Sequence, residues 1–343
     1  MFSTFYPFKR LPVDIRLCIW EQALRCADRG GGLHYFSVVL EPFSEEEEDE
    51  DEECEEDEEE DSHMGSNRRG LFERDSDQGH TVLHIGALGA GPLATPQDNK
   101  SVYLWDYGLW AACAESRNVI EKYYKRNRQL TPDCRPEWRD YHAEYPIFKT
   151  VWAGDQPLRV MLQPYKDIFC LGYEDLDTAL LRASDPLGSL FLEPAEQPGM
   201  ADLDLNLALV FHPSWRLDWP TSPEALGEED SPRGALARLI EKTFVELWSI
   251  SIWLIDRDAV PSPAVQKGPV FHDMETEYFK MQSGSEAFAF IRKLDTLLAP
   301  MYDVWTGVEP GQAQNGTIIP KVSLDNYVHV LGCRKYGKGV LGR

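Results

Sequence analysis

Residues 45–61 hold sixteen Asp and Glu in seventeen positions, interrupted only by Cys54. A run of this charge density repels itself and offers almost no apolar area to offset the entropy of ordering it. It has to lie outside any core, so the fold is built around it. The segments on either side, Leu33–Leu40 and Thr81–Ile85, are both strand-like in their β-branched and aromatic content. The polar stretch 42–79 is therefore read as a disordered acidic insertion between two strands. Its length is no obstacle, because loop-closure cost grows only with the logarithm of length.

The run also explains the charge. The chain of 343 residues carries a formal −24, and without the run the remaining 326 residues carry −8, an ordinary surface. No basic domain is present to neutralise phosphates, so nucleic-acid binding is not expected. A hydrophobic fraction of 43% and ten Trp require a sizeable core. The N-terminus lacks a basic region followed by an apolar one, and no stretch is long enough for a membrane span. The seven cysteines (Cys18, Cys26, Cys54, Cys113, Cys134, Cys170, Cys333) are odd in number, scattered, and never in a Cys-x-x-Cys pair. They read as free thiols in a reducing compartment, cytoplasmic or nuclear.

Leu11–Arg25 reads as a helix. Pro12 suits its first turn and Asp14 its positive end. It has two apolar stripes, one through Ile15, Cys18, Ile19 and Gln22/Ala23, the other through Leu17, Trp20 and Leu24. A helix apolar on two sides is expected to be buried between other elements, with Phe5 and Phe8 folding back on it. A second helix is expected over Tyr107–Arg128, after a strand at Ser101–Trp105. In the second half, strands are expected at Pro157–Gln163, Asp167–Leu171, Leu205–Phe211, Ile250–Ile255 and Tyr327–Leu331. Helices are expected at Gly234–Trp248 and Ser285–Leu298. The order strand, helix, strand over 205–255 predicts a right-handed parallel crossover.

The expectation is a mixed α/β (α+β) protein with two domains. The first, 1–145, packs two helices on a small sheet. The second, 146–343, is a lobe with at least one β-α-β unit, and the two share one sheet if no linker separates them near 145.

No complete catalytic motif is present. Gly86-Ala87-Leu88-Gly89-Ala90-Gly91-Pro92 follows a strand but has the wrong glycine spacing, and prolines replace the helix that would bind a phosphate. It is read as a glycine-rich turn. His80 and His84 are four apart on a β-like segment, so neither a metal nor another cofactor is assigned. Asp256-Arg257-Asp258 lies just past a strand C-terminus, where α/β sheets often bind ligands, and is read as a solvated strand exit.

Two spaced segments carry a resemblance. Phe5, Phe8, Leu11-Pro12, Asp14-Ile15-Arg16, Ile19-Trp20 and Ala23-Leu24 form one. Leu109-Trp110, Cys113 and Glu115-Ser116-Arg117 form the other. Together they resemble the two-EXR domain, named for two Glu-x-Arg motifs and common in filamentous fungi. The second motif is intact here, and the first is Asp14-Ile15-Arg16, one methylene shorter in its acid. The resemblance spans roughly 5–125, and 207–215 and 252–257 look like the regions that accompany the domain. It implies no chemistry, but its opening helix is similar to an F-box, whose Leu-Pro and helix dock an adaptor of a ubiquitin ligase.

Residues i and i+2 on a helix point about 200° apart. Asp14 and Arg16 therefore face different partners, as do Glu115 and Arg117. The expectation is that Arg16 or Arg117 reaches a carboxylate or helix-end carbonyls on the other motif's element, a bidentate pair that fixes the helix crossing. The motif residues Leu11, Pro12, Asp14, Arg16, Trp20, Trp110, Glu115 and Arg117 are the structural candidates. The acidic run, bounded by Glu45 and Asp61, is a solvated insertion, an element that engages a basic protein, or a regulatory segment next to Ser44. The leading reading is a non-enzymatic interaction module, an adaptor or substrate-recognition protein. The alternative is an enzyme whose site assembles from dispersed residues of the second half.

Overall fold

The computed structural model describes residues 8–24, 30–41, 82–87, 99–128, 147–153, 156–163, 166–172, 174, 176, 205–245, 250–262, 270–306, 313–314, 317–318 and 323–335. The acidic run with Glu45 and Asp61, the turn beyond Ala87, and His80 lie outside them.

The protein mixes helices and strands around one large sheet. In chain order the elements are α1 (Val13–Ala23), β1 (Gly31–Glu41), β2 (Val82–Ala87), α2 (Tyr103–Ala112), α3 (Ala114–Arg128), β3 (Ile147–Ala153), β4 (Gln156–Leu162), β5 (Ile168–Leu171) and β6 (Leu205–Val210). Then come α4 (Pro223–Gly227), α5 (Pro232–Val245), β7 (Ile250–Asp256), β8 (Val270–His272), β9 (Thr276–Lys280), α6 (Glu286–Thr306), the small pair β10 (Ala313–Gln314) and β11 (Thr317–Ile318), and β12 (Val328–Lys335).

The sheet order is β4-β3-β2-β1-β5-β6-β7-β12-β9-β8, and β8 pairs back onto β1. Seven strands (β1, β5, β6, β7, β12, β9, β8) thus close into a barrel, which removes the open edges a flat sheet would leave. All are parallel to their neighbours except β9, which is antiparallel to both β12 and β8. The sequence pattern does not predict the barrel, but the parallel pairing expected across 205–255 is present, with Leu205–Val210 beside Ile250–Ile255 and α5 in the connection.

Closure depends on β1 having three neighbours. One edge pairs with β5. The other pairs with β8 at Gly31 and Gly32, and with β2 at Phe36–Glu41. In the fork between β8 and β2, Leu33 O accepts the Val102 N–H (3.1 Å) and the Tyr35 N–H donates to Ser101 Oγ (2.8 Å). This corrects the strand expected at Ser101–Trp105. Its head fills the fork through single bonds, Asn99 Oδ1 accepts the Ser101 N–H (2.9 Å), and α2 starts at Tyr103. The sheet also joins the two expected domains, since β1 sits between β5 and β8.

Alternation along the strands sorts the core. Leu33, Tyr35, Ile168, Cys170, Ala208, Trp253, Ile255, Phe271, Tyr278 and Leu331 fill the barrel. The opposite faces carry Leu207 and Leu254, which share a core with α5 and α6, and Phe36 and Phe169, which stack on each other, Phe36 also on Tyr103 at the start of α2. α6 runs past the expected Leu298 to Thr306 despite Pro300, because Met301, Tyr302 and Trp305 are buried there, with Phe244 of α5 5.6 Å from Tyr302 and 6.1 Å from Trp305 between ring centroids. The segments β3, β8 and β9 were not anticipated.

A third core lies among α1, α2, α3 and β4: Leu24, Leu109, Val119, Ile120 and Met161, with Leu17, Trp20, Trp105 and Trp110 packed against it. The helix expected over Tyr107–Arg128 is two helices. Cys113 is extended (φ −168°), its N–H donates to Ser116 Oγ (3.1 Å), and the Ser116 hydroxyl donates to Leu109 O (2.5 Å). The serine satisfies the broken turn from both sides. The burial expected for α1 is also corrected, since no residue of it is buried. Leu17, Trp20 and Ala23 meet the core, whereas Val13, Ile15 and Ile19 are 56%, 45% and 40% exposed. Phe8 does fold back, edge-on to Trp20 with centroids 4.8 Å apart.

Candidate functional site

The two motifs meet where α1 crosses the start of α3. Arg16 Nε donates to Glu115 Oε2 (3.0 Å) and its Nη2 to Oε1 (2.6 Å), a parallel two-bond fork. Its Nη1 turns back to Leu11 O (2.7 Å), so one guanidinium ties the Leu-Pro entry, α1 and α3 together. Pro12 precedes the helix, and its carbonyl accepts the Arg16 N–H (3.1 Å). The Arg16 hydrogen bonds hold the Glu115 carboxyl below the usual carboxylate range. Glu115 in turn raises Arg16 further.

Arg117 does something else. It is exposed, and its Nη1 donates to Trp110 O (3.3 Å), linking α3 back to α2. Asp14 is exposed in the first turn of α1, and Trp110 is half-buried. The structure thus brings Leu11, Arg16, Trp20 and Glu115 into one cluster and places Trp110 and Arg117 beside it. Cys113 sits at the same junction. Burial pushes its thiol up, but the Ser116 and Glu115 N–H groups and the Ser116 hydroxyl outweigh this and hold it below its ordinary value.

Two buried polar clusters lie apart from the motifs. His34 on β1 and Asp167 at the head of β5 are fully buried, 2.9 Å apart. The Asp167 carboxylate also accepts the N–H groups of Gly32 (2.8 Å) and Gln163 (2.8 Å). The His34 ring stacks on Phe36, Tyr103 and Phe169, at 6.0, 5.7 and 5.8 Å between centroids. The pair therefore anchors the residues that close the barrel.

The second cluster is at the barrel mouth formed by strand C-termini. The Tyr278 hydroxyl donates to Asp273 Oδ2 (2.7 Å), and the Tyr35 hydroxyl lies 3.0 Å from the Tyr278 oxygen and 3.2 Å from Asp273 Oδ2. Asp273 Oδ1 accepts the N–H groups of Glu275 and Thr276, both 2.7 Å. Burial pushes both phenols well above their ordinary value, and the nearby carboxylate adds to this. Arg257, one residue past β7, acts electrostatically on Cys170, Tyr278 and Cys333 from the rim. The hydroxyls and carboxylate use one another up, so this cluster is a latch between β1 and the β8–β9 turn. Sequence reasoning missed both clusters, because nothing in the local pattern of His34, Tyr35 or Asp273 shows its distant partner.

Among the described residues no group of three or more His, Cys, Asp or Glu is placed to hold a metal ion, and no helix is long and apolar enough to cross a membrane. Comparison with protein-family models, with curated proteins and with solved structures returned no match.

Proposed function

We propose that this chain is a non-enzymatic protein-interaction module that presents α1 to a partner, in the manner implied by its resemblance to two-EXR domains and to the F-box helix. One observation carries the reading. Ile15, Cys18 and Ile19 form an exposed apolar stripe on a helix whose other side is packed and clamped. Exposed apolar residues on a rigid helix suit docking into a groove, read as anchors at i and i+4. The partner proposed is a ubiquitin-ligase adaptor, and the compartment cytoplasm or nucleus. The acidic run is proposed as a separate element for a basic protein.

Affinity purification of the full chain tests this, comparing wild type with an Ile15→Glu/Ile19→Glu variant and with a chain lacking 45–61. The expected result is an adaptor captured by wild type and by the deletion, and lost from the double variant at unchanged melting temperature. Failure of the intact chain to capture an adaptor, or equal capture by the double variant, overturns the reading.

A further inference from the structure

The barrel has a second mouth, where β6, β7 and β12 begin and β9 ends. Asn206, Ser251 and His329 are each the second residue of their strands, and Lys280 is the last of β9. Alternation puts all four on the barrel-interior face, shared with Ala208, Trp253, Leu331 and Tyr278 respectively. All four are half-buried, whereas Trp253 and Phe271 beneath them are 5% and 7% exposed.

Trp253 organises the group. Its indole N–H donates to Asn206 Oδ1 (3.0 Å), and Phe271 stands edge-on at 5.2 Å. The His329 ring lies 4.8 Å away, and the Lys280 ammonium sits 5.4 Å from the indole centroid. Ser251 is the cross-strand neighbour of Asn206. The ring therefore contains an ammonium, an imidazole, a carboxamide and a hydroxyl over an aromatic floor, and none of the four is an acid. Among the described residues Lys280 pairs with no carboxylate; its partner there is the π face of Trp253.

We propose that this mouth binds a phosphate group, free or carried on a small molecule, through Lys280 with His329 and Ser251 as hydrogen-bonding groups. An ammonium with no carboxylate partner among the described residues, set among neutral polar groups at the rim of a low-dielectric barrel, favours a compact oxyanion. Phosphate offers acceptors on several sides, which suits groups arriving from three strands. The proposal also accounts for His329. Burial and the facing Lys280 hold it down at about 4, so it is neutral at neutral pH. A bound anion favours the charged imidazole and moves that value up.

The test is NMR of the histidine ring signals of the full chain, with His329 assigned by its loss in His329→Gln. Inorganic phosphate is titrated against sodium chloride of equal ionic strength. The expected result is a saturable shift of the His329 signal and a rise of its titration midpoint by about one unit. Lys280→Gln abolishes both, and Lys280→Arg retains them, which separates a binding role from a structural one. Phenyl phosphate binding more tightly than inorganic phosphate identifies a phosphate ester as ligand; equal or weaker binding identifies free phosphate. No shift with either probe, or the same shift with chloride, overturns the proposal.

Discussion

Arg16 on α1 grips both carboxylate oxygens of Glu115 on α3, across 99 residues of sequence. The side chains are 17% and 33% exposed, so the pair is screened on one side and shielded on the other. Its value lies in geometry. A two-bond fork fixes an angle as well as a distance, and the third bond to Leu11 O fixes the chain entering the helix. Arg16→Met should lower the melting temperature by several degrees, and Glu115→Gln by a similar or smaller amount. The double variant should cost less than the two losses added, because both remove one interaction. Arg117→Met should change little, since that side chain makes one exposed 3.3 Å bond. If Arg16→Met melts with wild type, the clamp has no energetic role.

The same pair gives a pH dependence. Arg16 holds the Glu115 carboxyl below its ordinary value. Its contribution is therefore present above the unfolded value of about 4.3 and is lost as pH falls through the folded one. In thermal melts from neutral to acid pH, the gap between wild type and Glu115→Gln should narrow below about pH 4. A gap constant down to the lowest pH would show that the carboxylate charge is not what stabilises.

Gly31 closes the barrel, and it has no room for a side chain. A Cβ there would sit 2.0 Å from Lys166 O and 2.7 Å from the Phe271 ring. The first of these is backbone and cannot swing away. Gly31→Ala should sharply reduce soluble yield and the melting temperature. Gly108→Ala is the opposite case. Gly108 lies within α2 with nothing inside 4 Å of the added carbon. It should stabilise by about 0.5–1 kcal/mol, the usual cost of glycine inside a helix. Equal effects at the two positions would refute the closure argument.

This contrast shows what the sequence carried. Local alternation and spacing located β5, β6, β7 and β12 within a few residues, and the i,i+2 geometry of the motifs required each Arg to look away from its own acid. Arg16 and Glu115 then met by packing. Closure was not legible, because it rests on a two-residue pairing of Gly31 and Gly32 with β8, a strand too short to show a period. The exposure of Ile15 and Ile19 was misread for a related reason. Apolar periodicity says which residues share a face, but not whether another element covers it.

The latch at Tyr35, Asp273 and Tyr278 predicts behaviour in base. Burial raises both phenols, so the folded state holds its protons more tightly than the unfolded chain. Their contribution is complete below the unfolded value of about 10 and is lost as pH rises towards the folded one. In absorbance titration Tyr35 and Tyr278 should be among the tyrosines that ionise only on alkaline unfolding, with Tyr302, whose phenol burial also raises, and a Tyr35→Phe/Tyr278→Phe variant should lose two from that group. Tyr278→Phe should cost about 1.5–3 kcal/mol in urea denaturation, the range for a hydrogen bond to a charged group. A cost near zero would mean that Asp273 is held well enough by its two backbone donors.

The thiols should separate by environment. Cys170 is 4% exposed inside the barrel, and burial pushes its thiol up to about 12. Cys113 is half-exposed at the α2–α3 break, and its thiol lies below its ordinary value. Only the thiolate is nucleophilic, so both the thiolate fraction and access favour Cys113. Iodoacetamide at neutral pH, followed by peptide mass spectrometry, should label Cys113 while Cys170 stays unmodified until the barrel unfolds. Ser116→Ala removes the hydroxyl that holds the Cys113 thiol low and anchors the broken turn. It should slow alkylation of Cys113 and leave Cys170 protected. If Cys170 reacts as fast as Cys113 in the native protein, the barrel is open at that mouth and the latch does not hold.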